Sequence, residues 1–345
     1  MSQSIQPPHG EQQVARLYAP GDIRLVREPI PVPLDGESLV RVTAVGLCGS
    51  DLHWFGEGQI GDATLTRPLV LGHEFAGVVV GGVLDGRRVA VDPAIPCERC
   101  PACRRGHRNL CPAVIFAGHG RQDGALREHL TWPTHLLHEL PEQIDDTGGA
   151  MLEPLGVAMH AMNLAHPRPG MSVAVVGAGP LGLLLIQLAR ATGAGTVIAV
   201  EPLEQRRAAA LACGADHAVT PDQAHDGAMG ALASDWGVDL VFEVAGNDDA
   251  IGIALEAASP GARIMLVGIP DDDRSAFVAA TARRKGLTLM LVRRMQDHYD
   301  RAIQLASRKA VDLGAVVSDH FALADVTEAF SFAASRRSLK VVIHP

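Results

Sequence analysis

The chain has 345 residues, of which 47% are hydrophobic and 20% charged. That is ample apolar material for a core, it excludes a mainly disordered polymer, and the length suggests two domains rather than one. Lys and Arg number 30 against 39 Asp and Glu, giving a net charge of −9, and aromatic residues are only 4%; these speak against a broad polyanion-binding surface and against base-stacking platforms.

Residues 1–13 read as a loose polar tail. MSQSIQPPHGEQQ has no basic start and no apolar run, so it does not read as a secretory leader, and the expected compartment is the cytoplasm. Over residues 15–141 short apolar runs (39–45, 78–80, 88–91 and 126–132) are separated by Gly, Pro and Asp. This pattern predicts a β-rich antiparallel domain with long loops.

From about residue 150 the pattern changes. A helix is predicted over 152–164, then a strand over 172–176, a glycine turn, a helix over 181–192, a strand over 196–200 and a helix over 203–213. Further strands are expected at 240–244, 263–267 and 287–291. Short apolar strands alternating with helices indicate a parallel sheet covered on both faces. Helices over 299–308 and 326–335 and a strand over 340–343 close the chain. The most apolar stretch, 173–189, is interrupted by Gly177, Gly179, Pro180 and Gly182 and contains Gln187. It reads as strand, turn and helix, not as a membrane span, which needs about 20 apolar residues. No tandem repeat is found, and the acid triplet 271–273 reads as a solvated face.

Six cysteines are present, and Cys97, Cys100, Cys103 and Cys111 are separated by two, two and seven residues. In a reducing compartment, clustered thiols hold metal more often than they pair. Four thiolates close a tetrahedral zinc site with no open position, which makes it structural. The surrounding Pro96, Pro101, Arg104, Arg105 and Gly106 supply little core, so metal would substitute for packing. An iron–sulfur cluster and redox chemistry are the alternatives by ligand type; the second fits less well, since no thioredoxin-like unit surrounds the cluster.

Three further segments supply ligands of mixed type: Gly46-Leu-Cys48-Gly-Ser50-Asp-Leu-His53, Gly72-His73-Glu74 and Leu152-Glu153-Pro154-Leu155. Cys48, His73 and a carboxylate form an S/N/O set suited to a catalytic zinc that keeps one position for substrate. The turn Gly177-Ala-Gly179-Pro180-Leu181-Gly182 follows a strand and opens a helix, the context of a dinucleotide fingerprint. Phosphate would sit at the helix N-terminus. Glu201, 24 residues beyond Gly177, ends the next strand. An acid there bonds a ribose 2′-hydroxyl and repels a 2′-phosphate, which favours NAD over NADP, while Arg206 and Arg207 are near enough in sequence to accept that phosphate. Ala245-Gly246 and Gly268-Ile269 follow later strands, where ligands of parallel sheets bind.

These segments, in this order, resemble the zinc-dependent medium-chain alcohol and polyol dehydrogenases over about residues 15–345. The stretch from Gly49 to Glu74 and Glu153-Pro154-Leu155-Gly156 are most similar to the sorbitol, xylitol and L-idonate 5-dehydrogenase branch. Threonine dehydrogenases, the runner-up, have Asp-Pro-Phe where this chain has Glu-Pro-Leu. The resemblance implies an α/β protein. A GroES-like β-rich catalytic domain would span 1–156 and 293–345, with a zinc lobe at 97–111. A Rossmann doubly wound domain would span 157–292. It implies two zinc ions per subunit and NAD, with Cys48 and His73 on the catalytic zinc and Glu74 and Glu153 competing for the remaining protein contact. Ser50 and His53 match a proton relay that runs through the nicotinamide ribose. Ala245, Gly246, Gly268 and Ile269 match nicotinamide contacts, and Arg294, with Arg293 as the nearer alternative, matches a substrate arginine. Trp54 and Phe116 are expected to wall the substrate cleft.

The expected reaction is oxidation of a secondary hydroxyl of a polyol or sugar acid, by a homodimer or homotetramer that binds neither membrane nor nucleic acid. A zinc-lobed nucleic-acid binder, using Arg104, Arg105, His107 and Arg108, is the non-enzyme alternative. The net charge and the missing two-histidine finger spacing speak against it.

Overall fold

A computed structural model describes residues 10–225, 228–270 and 273–345. Two residues of the acid triplet, Asp271 and Asp272, lie outside that range, as does most of the expected tail. The chain divides into two compact units. One comprises Met1–Glu153, Tyr299–Ser307 and Val317–Pro345; the other comprises Pro154–His298 and Arg308–Val316.

In the first unit the expected tail is shorter than read. Glu11–Ala19 is already a strand, paired antiparallel with Asp22–Pro29. At its start exposed Glu11 and Gln13 alternate with buried Gln12 and Val14, so a polar run conceals a strand. The main sheet has seven strands. In spatial order, Leu137–Glu139, Arg88–Val91, Glu74–Val80, Glu37–Gly46, Val341–His344 and Asp319–Ala322 lie side by side, and His129–Pro133 also pairs with Glu37–Gly46. Every pairing is antiparallel except the last, between 319–322 and 341–344. Val40, Val42, Phe75, Val89, Trp132 and Ile343 join one core cluster. Burial of such side chains, at about 1.5–3 kcal/mol each, holds the sheet. Trp132 satisfies its buried indole N–H on the carbonyl of Asp92 at 2.8 Å.

The second unit carries six parallel strands in the order His217–Val219, Thr196–Val200, Ser172–Val176, Val238–Glu243, Ala258–Leu266, Thr288–Leu291. Numbered along the chain, this is the order 3-2-1-4-5-6 of a doubly wound dinucleotide fold. Ala174, Ile198, Val241 and Ile264 are fully buried, as strands covered on both faces require. The helix Pro180–Ala191 packs after strand 172–176, with buried Leu183, Leu184, Leu185, Ile186 and Leu188. Strand order reverses beside 172–176, and ligands of such sheets bind beyond the carboxyl ends of the strands at that place.

Candidate active site

The sheet ladder explains why the two ligand segments meet. Gly46 is paired with Glu74, and Val45 with Phe75. Cys48 follows the end of one strand by two residues, and His73 immediately precedes the other. The thiol of Cys48, a ring nitrogen of His73 and a carboxylate oxygen of Glu74 lie within 4.8 Å of one another. His73 and Glu74 are buried, and Cys48 is partly exposed. A soft sulfur, an imidazole and a carboxylate converging from three directions fit a zinc ion that keeps an open position.

Asp51, which the sequence reading passed over, fixes this geometry. It is fully buried in the first turn of the helix Gly49–Glu57. Its Oδ2 accepts from the N–H of Cys48 at 3.0 Å, and its Oδ1 accepts from the N–H of Gly72 at 3.2 Å. The same Oδ1 is 3.4 Å from Nδ1 of His73. The carboxylate thus grips both segments, and by holding Nδ1 it turns the other nitrogen of His73 toward the ligand trio. Burial alone would raise the Asp51 carboxyl; His73 and the two N–H groups outweigh it and hold it below the ordinary range. Burial opposes charge on His73 in turn, and Asp51 overcomes it, raising the imidazole well above its usual value.

Glu153 is 5% exposed and stands outside the trio. Burial pushes its carboxyl up to about 7, against the pull of His73 and with a further push from Glu74. A second residue unread in the sequence, Lys340, is buried with its ammonium on both oxygens of Glu74.

Ser50 and His53 lie on the helix 49–57, with Nδ1 of His53 3.3 Å from Oε1 of Glu57. Phe116 stands 5.3 Å from the ring of His73, so it does border the trio. Trp54 corrects an expectation. At 1% exposure it is a core residue, and its ring meets that of His119 edge-on at 5.6 Å. His119 also lies 6.5 Å from Phe116, ring to ring and edge-on, a neighbour that no motif in the sequence pointed to. Arg294 belongs to the second unit and takes a left-handed backbone, φ 51°, which side-chain-bearing residues seldom adopt.

Cys97, Cys100, Cys103 and Cys111 also converge, their sulfurs within 4.8 Å of one another. The N–H groups of Arg99 and Cys100 pull the Cys97 thiol down to about 6. Burial and the neighbouring thiols push Cys103 up to about 12. Four thiols in one nook cannot all ionise without a cation among them, so the donor set itself calls for a metal. Among the described residues no other group of this kind is formed.

In the second unit the glycine turn has the required shape. Gly177 takes φ +101°, and a side chain at Gly182 would strike the carbonyl of Gly177. Gly179 caps the helix that begins at Pro180 and has almost nothing around the place of a Cβ, so a phosphate can approach its backbone. Glu201 is turned inward. Its Oε2 accepts from the N–H of Ala178 at 2.9 Å and its Oε1 from Leu203 at 3.0 Å. Each oxygen retains a lone pair for a further donor. Arg206 approaches Gly179, and Arg207 is spent on the carbonyls of Glu201 and Pro202. The turns at Ala245-Gly246 and Gly268-Ile269 touch, for a side chain at Gly246 would meet the Ile269 carbonyl at 2.5 Å. Buried Glu243, a further residue not anticipated, accepts from the Gly246 N–H at 2.7 Å and braces both turns through the N–H groups of Ala245 and Gly268.

Residues 34–142 match the alcohol dehydrogenase GroES-like domain, and residues 180–308 match the zinc-binding dehydrogenase family. The chain belongs to the zinc-binding alcohol dehydrogenases, NAD(P)-linked oxidoreductases with a GroES-like unit and a Rossmann unit. It is 32% identical to the sorbitol dehydrogenase of Bacillus subtilis, over 96% of this chain and 97% of that one. The solved L-idonate 5-dehydrogenase of Escherichia coli K-12 superposes with a TM-score of 0.91 at 26% identity, over 98% and 99% of the two chains. An alcohol dehydrogenase of Escherichia coli CFT073 complexed with NADH gives a TM-score of 0.89 at 26% identity, covering 97% of this chain and 99% of that one. A zinc-binding dehydrogenase of Sinorhizobium meliloti bound to NADP gives 0.89 at 30%, covering 97% and 100%.

Proposed function

We propose that the protein oxidises a secondary hydroxyl of a polyol or sugar acid with NAD⁺, using Cys48, His73 and Glu74 to hold a catalytic zinc. The convergence of those three donors is the observation that carries the reading. When bound, zinc polarises the substrate hydroxyl and the nicotinamide accepts hydride. The chain's own residues do the rest. Asp51 orients His73. Glu153, outside the trio and holding its proton near neutrality, reaches the reacting oxygen through water. Ser50 accepts the hydroxyl proton while releasing its own into the relay, and His53, beside Glu57, hands a proton on to water. Phe116 and His119 exclude water from one side. Arg294 recognises a distal hydroxyl or carboxylate of the substrate.

Glu201 supports NAD: an acid at the end of the second strand, held beside the glycine turn by the Ala178 N–H, would bond a ribose 2′-hydroxyl and repel a 2′-phosphate. The Cys₄ group holds a structural zinc. Six free cysteines suit a reducing, cytoplasmic compartment. No helix among the described residues is long and apolar enough to cross a membrane. Assembly into two or four copies is checked by sedimentation; Leu291, 81% exposed on the edge strand 288–291, is a surface that pairing would cover.

The test is NAD⁺ and NADP⁺ reduction over sorbitol, xylitol, galactitol, L-idonate, gluconate and threonine, with and without chelator. Activity on a polyol or sugar acid, lost with chelator, is expected. Cys48→Ser and His73→Ala should abolish turnover while NADH still binds. Near-normal kcat in metal-free Cys48→Ser, or a clear preference for threonine, would reject the reading.

A further inference from the structure

Glu243 is 1% exposed and closes the strand Val238–Glu243, which opens the second half of the parallel sheet. Each half of a doubly wound sheet takes one mononucleotide beyond its strand ends. The glycine turn at 177–182 and Glu201 belong to the first half, where phosphate and the adenosine ribose fall. The nicotinamide therefore falls to the half that begins with Glu243. The carboxylate accepts from the N–H of Gly246 at 2.7 Å and also bonds the N–H groups of Ala245, Gly268 and Asn247. The backbone carbonyl of Glu243 accepts from Val267 at 2.8 Å and from Gly268 at 3.1 Å. All four partners of the side chain are donors, so a carboxyl proton would find no acceptor among them. Burial pushes the carboxyl up, and these N–H groups oppose it. They are dipoles, not cations, and so they brace the carboxylate without cancelling its charge.

We propose that Glu243 is a positioning residue whose buried charge also makes this half of the sheet prefer oxidised to reduced nicotinamide. This rests on the NAD(P)-linked reading of the second unit. The oxidised ring carries a positive charge; the ring that has received hydride carries none. A fixed anion attracts the first and is nearly indifferent to the second, and burial keeps water from screening it. Glu201, in the other half, meets the same adenosine ribose in either form, so it cannot make this distinction. In the wild type the charge eases departure of the reduced cofactor after hydride transfer. The competing role for Glu243 is a plain brace of the turns at 245–246 and 268. The two roles differ in one observable. Loss of a brace weakens both cofactor forms alike, whereas loss of the charge weakens the oxidised form more.

The experiment titrates the purified holoenzyme with NAD⁺ and, separately, with NADH, by calorimetry and by NADH fluorescence, without substrate. The quantity read is the ratio of the two Kd values, in the wild type, Glu243→Gln and Glu243→Asp. Glu243→Gln keeps the size and removes the charge; Glu243→Asp keeps the charge and shortens the brace. Glu243→Gln should weaken NAD⁺ at least ~3-fold more than it weakens NADH, as loss of a nearby buried charge requires. Glu243→Asp should leave the ratio at the wild-type value, even where both affinities fall. Should Glu243→Gln not fold, Glu243→Asn set against Glu243→Asp makes the same comparison at equal length. An unchanged ratio in the uncharged variant leaves only the brace and overturns the proposal. A ratio that moves as far in Glu243→Asp overturns it too, since shape and not charge would then be the cause. A wild type that binds neither NAD⁺ nor NADH overturns the cofactor reading beneath it, a result distinct from both.

Discussion

Asp51 and His73 show how one buried carboxylate decides the behaviour of a ligand it does not replace. Asp51→Asn keeps the shape but removes the charge that holds Nδ1 of His73, and offers an N–H where an acceptor is needed. Zinc affinity should fall about 10- to 100-fold, read by chelator competition, with a parallel loss of turnover. An unchanged affinity would show that the backbone alone orients His73. His53→Ala should cost about 10- to 100-fold in kcat/KM, below the full range for a direct base, because water can stand in for a relay. Its pH–rate profile should lose a limb; an unaltered profile removes His53 from the relay. Cys48, His73 and Glu74 were legible in the sequence because their residue types carry metal chemistry and sit in short motifs. Asp51 was hidden in a Gly-Ser-Asp run that reads as an ordinary turn. Lys340 was hidden by distance, for its partner Glu74 lies 266 residues away along the chain.

The elements that carry the site are positioned by close backbone contacts. Residues 124–126 run beside residues 70–72, with Gly124 N–H on the Val70 carbonyl at 2.7 Å and Ala125 N–H on the Gly72 carbonyl at 2.9 Å. A side chain at Gly124 would strike the carbonyls of Leu71 and Gly72, just before His73. Gly124→Ala should therefore cost about 1–3 kcal/mol of stability and also lower zinc occupancy, measured by thermal melts and metal analysis. A variant that melts as the wild type does and keeps its metal would show that this segment gives way freely. Strands 172–176 and 196–200 were readable to the residue, since buried parallel strands are short unbroken apolar runs. The strand near 126–132 starts later, at His129, because Leu126 belongs to the contact with Leu71 instead. Apolar content alone cannot distinguish those two uses of the backbone. The strand 319–322 was not read at all: DHFA is short and half polar, and it pairs only on one side, with 341–344.

At the scale of the whole molecule, the two groups of converging donors would serve different ends as metal sites. The four-cysteine group offers four protein donors and no open position, so an ion there would contribute stability and not chemistry. Cys97→Ser should lower Tm, by about 2–4 °C for each kcal/mol lost in a unit of this size, and remove one equivalent of zinc. Retention of both equivalents with an unchanged Tm would dismiss the structural assignment, and iron with a visible chromophore would replace zinc by a cluster. The two-part architecture was legible from the switch in periodicity near residue 150. The return of the C-terminal segment to the first unit was not visible in any local pattern and rested on the family likeness. In the structure its cause is plain, since Val341–His344 fills a place in the middle of the first sheet, between 37–46 and 319–322.

That late strand bears on how the protein is made. Cys48, His73 and Glu74 leave the ribosome early, but the ammonium that matches Glu74 emerges 266 residues after it, followed by a strand that their sheet needs. The first sheet thus stays unfinished until residues 341–344 emerge, while the second unit's six strands can pair once residue 291 has emerged. A chain stopped before Lys340 would lack both the partner of Glu74 and a strand of that sheet, and should be as crippled as one that has lost a ligand.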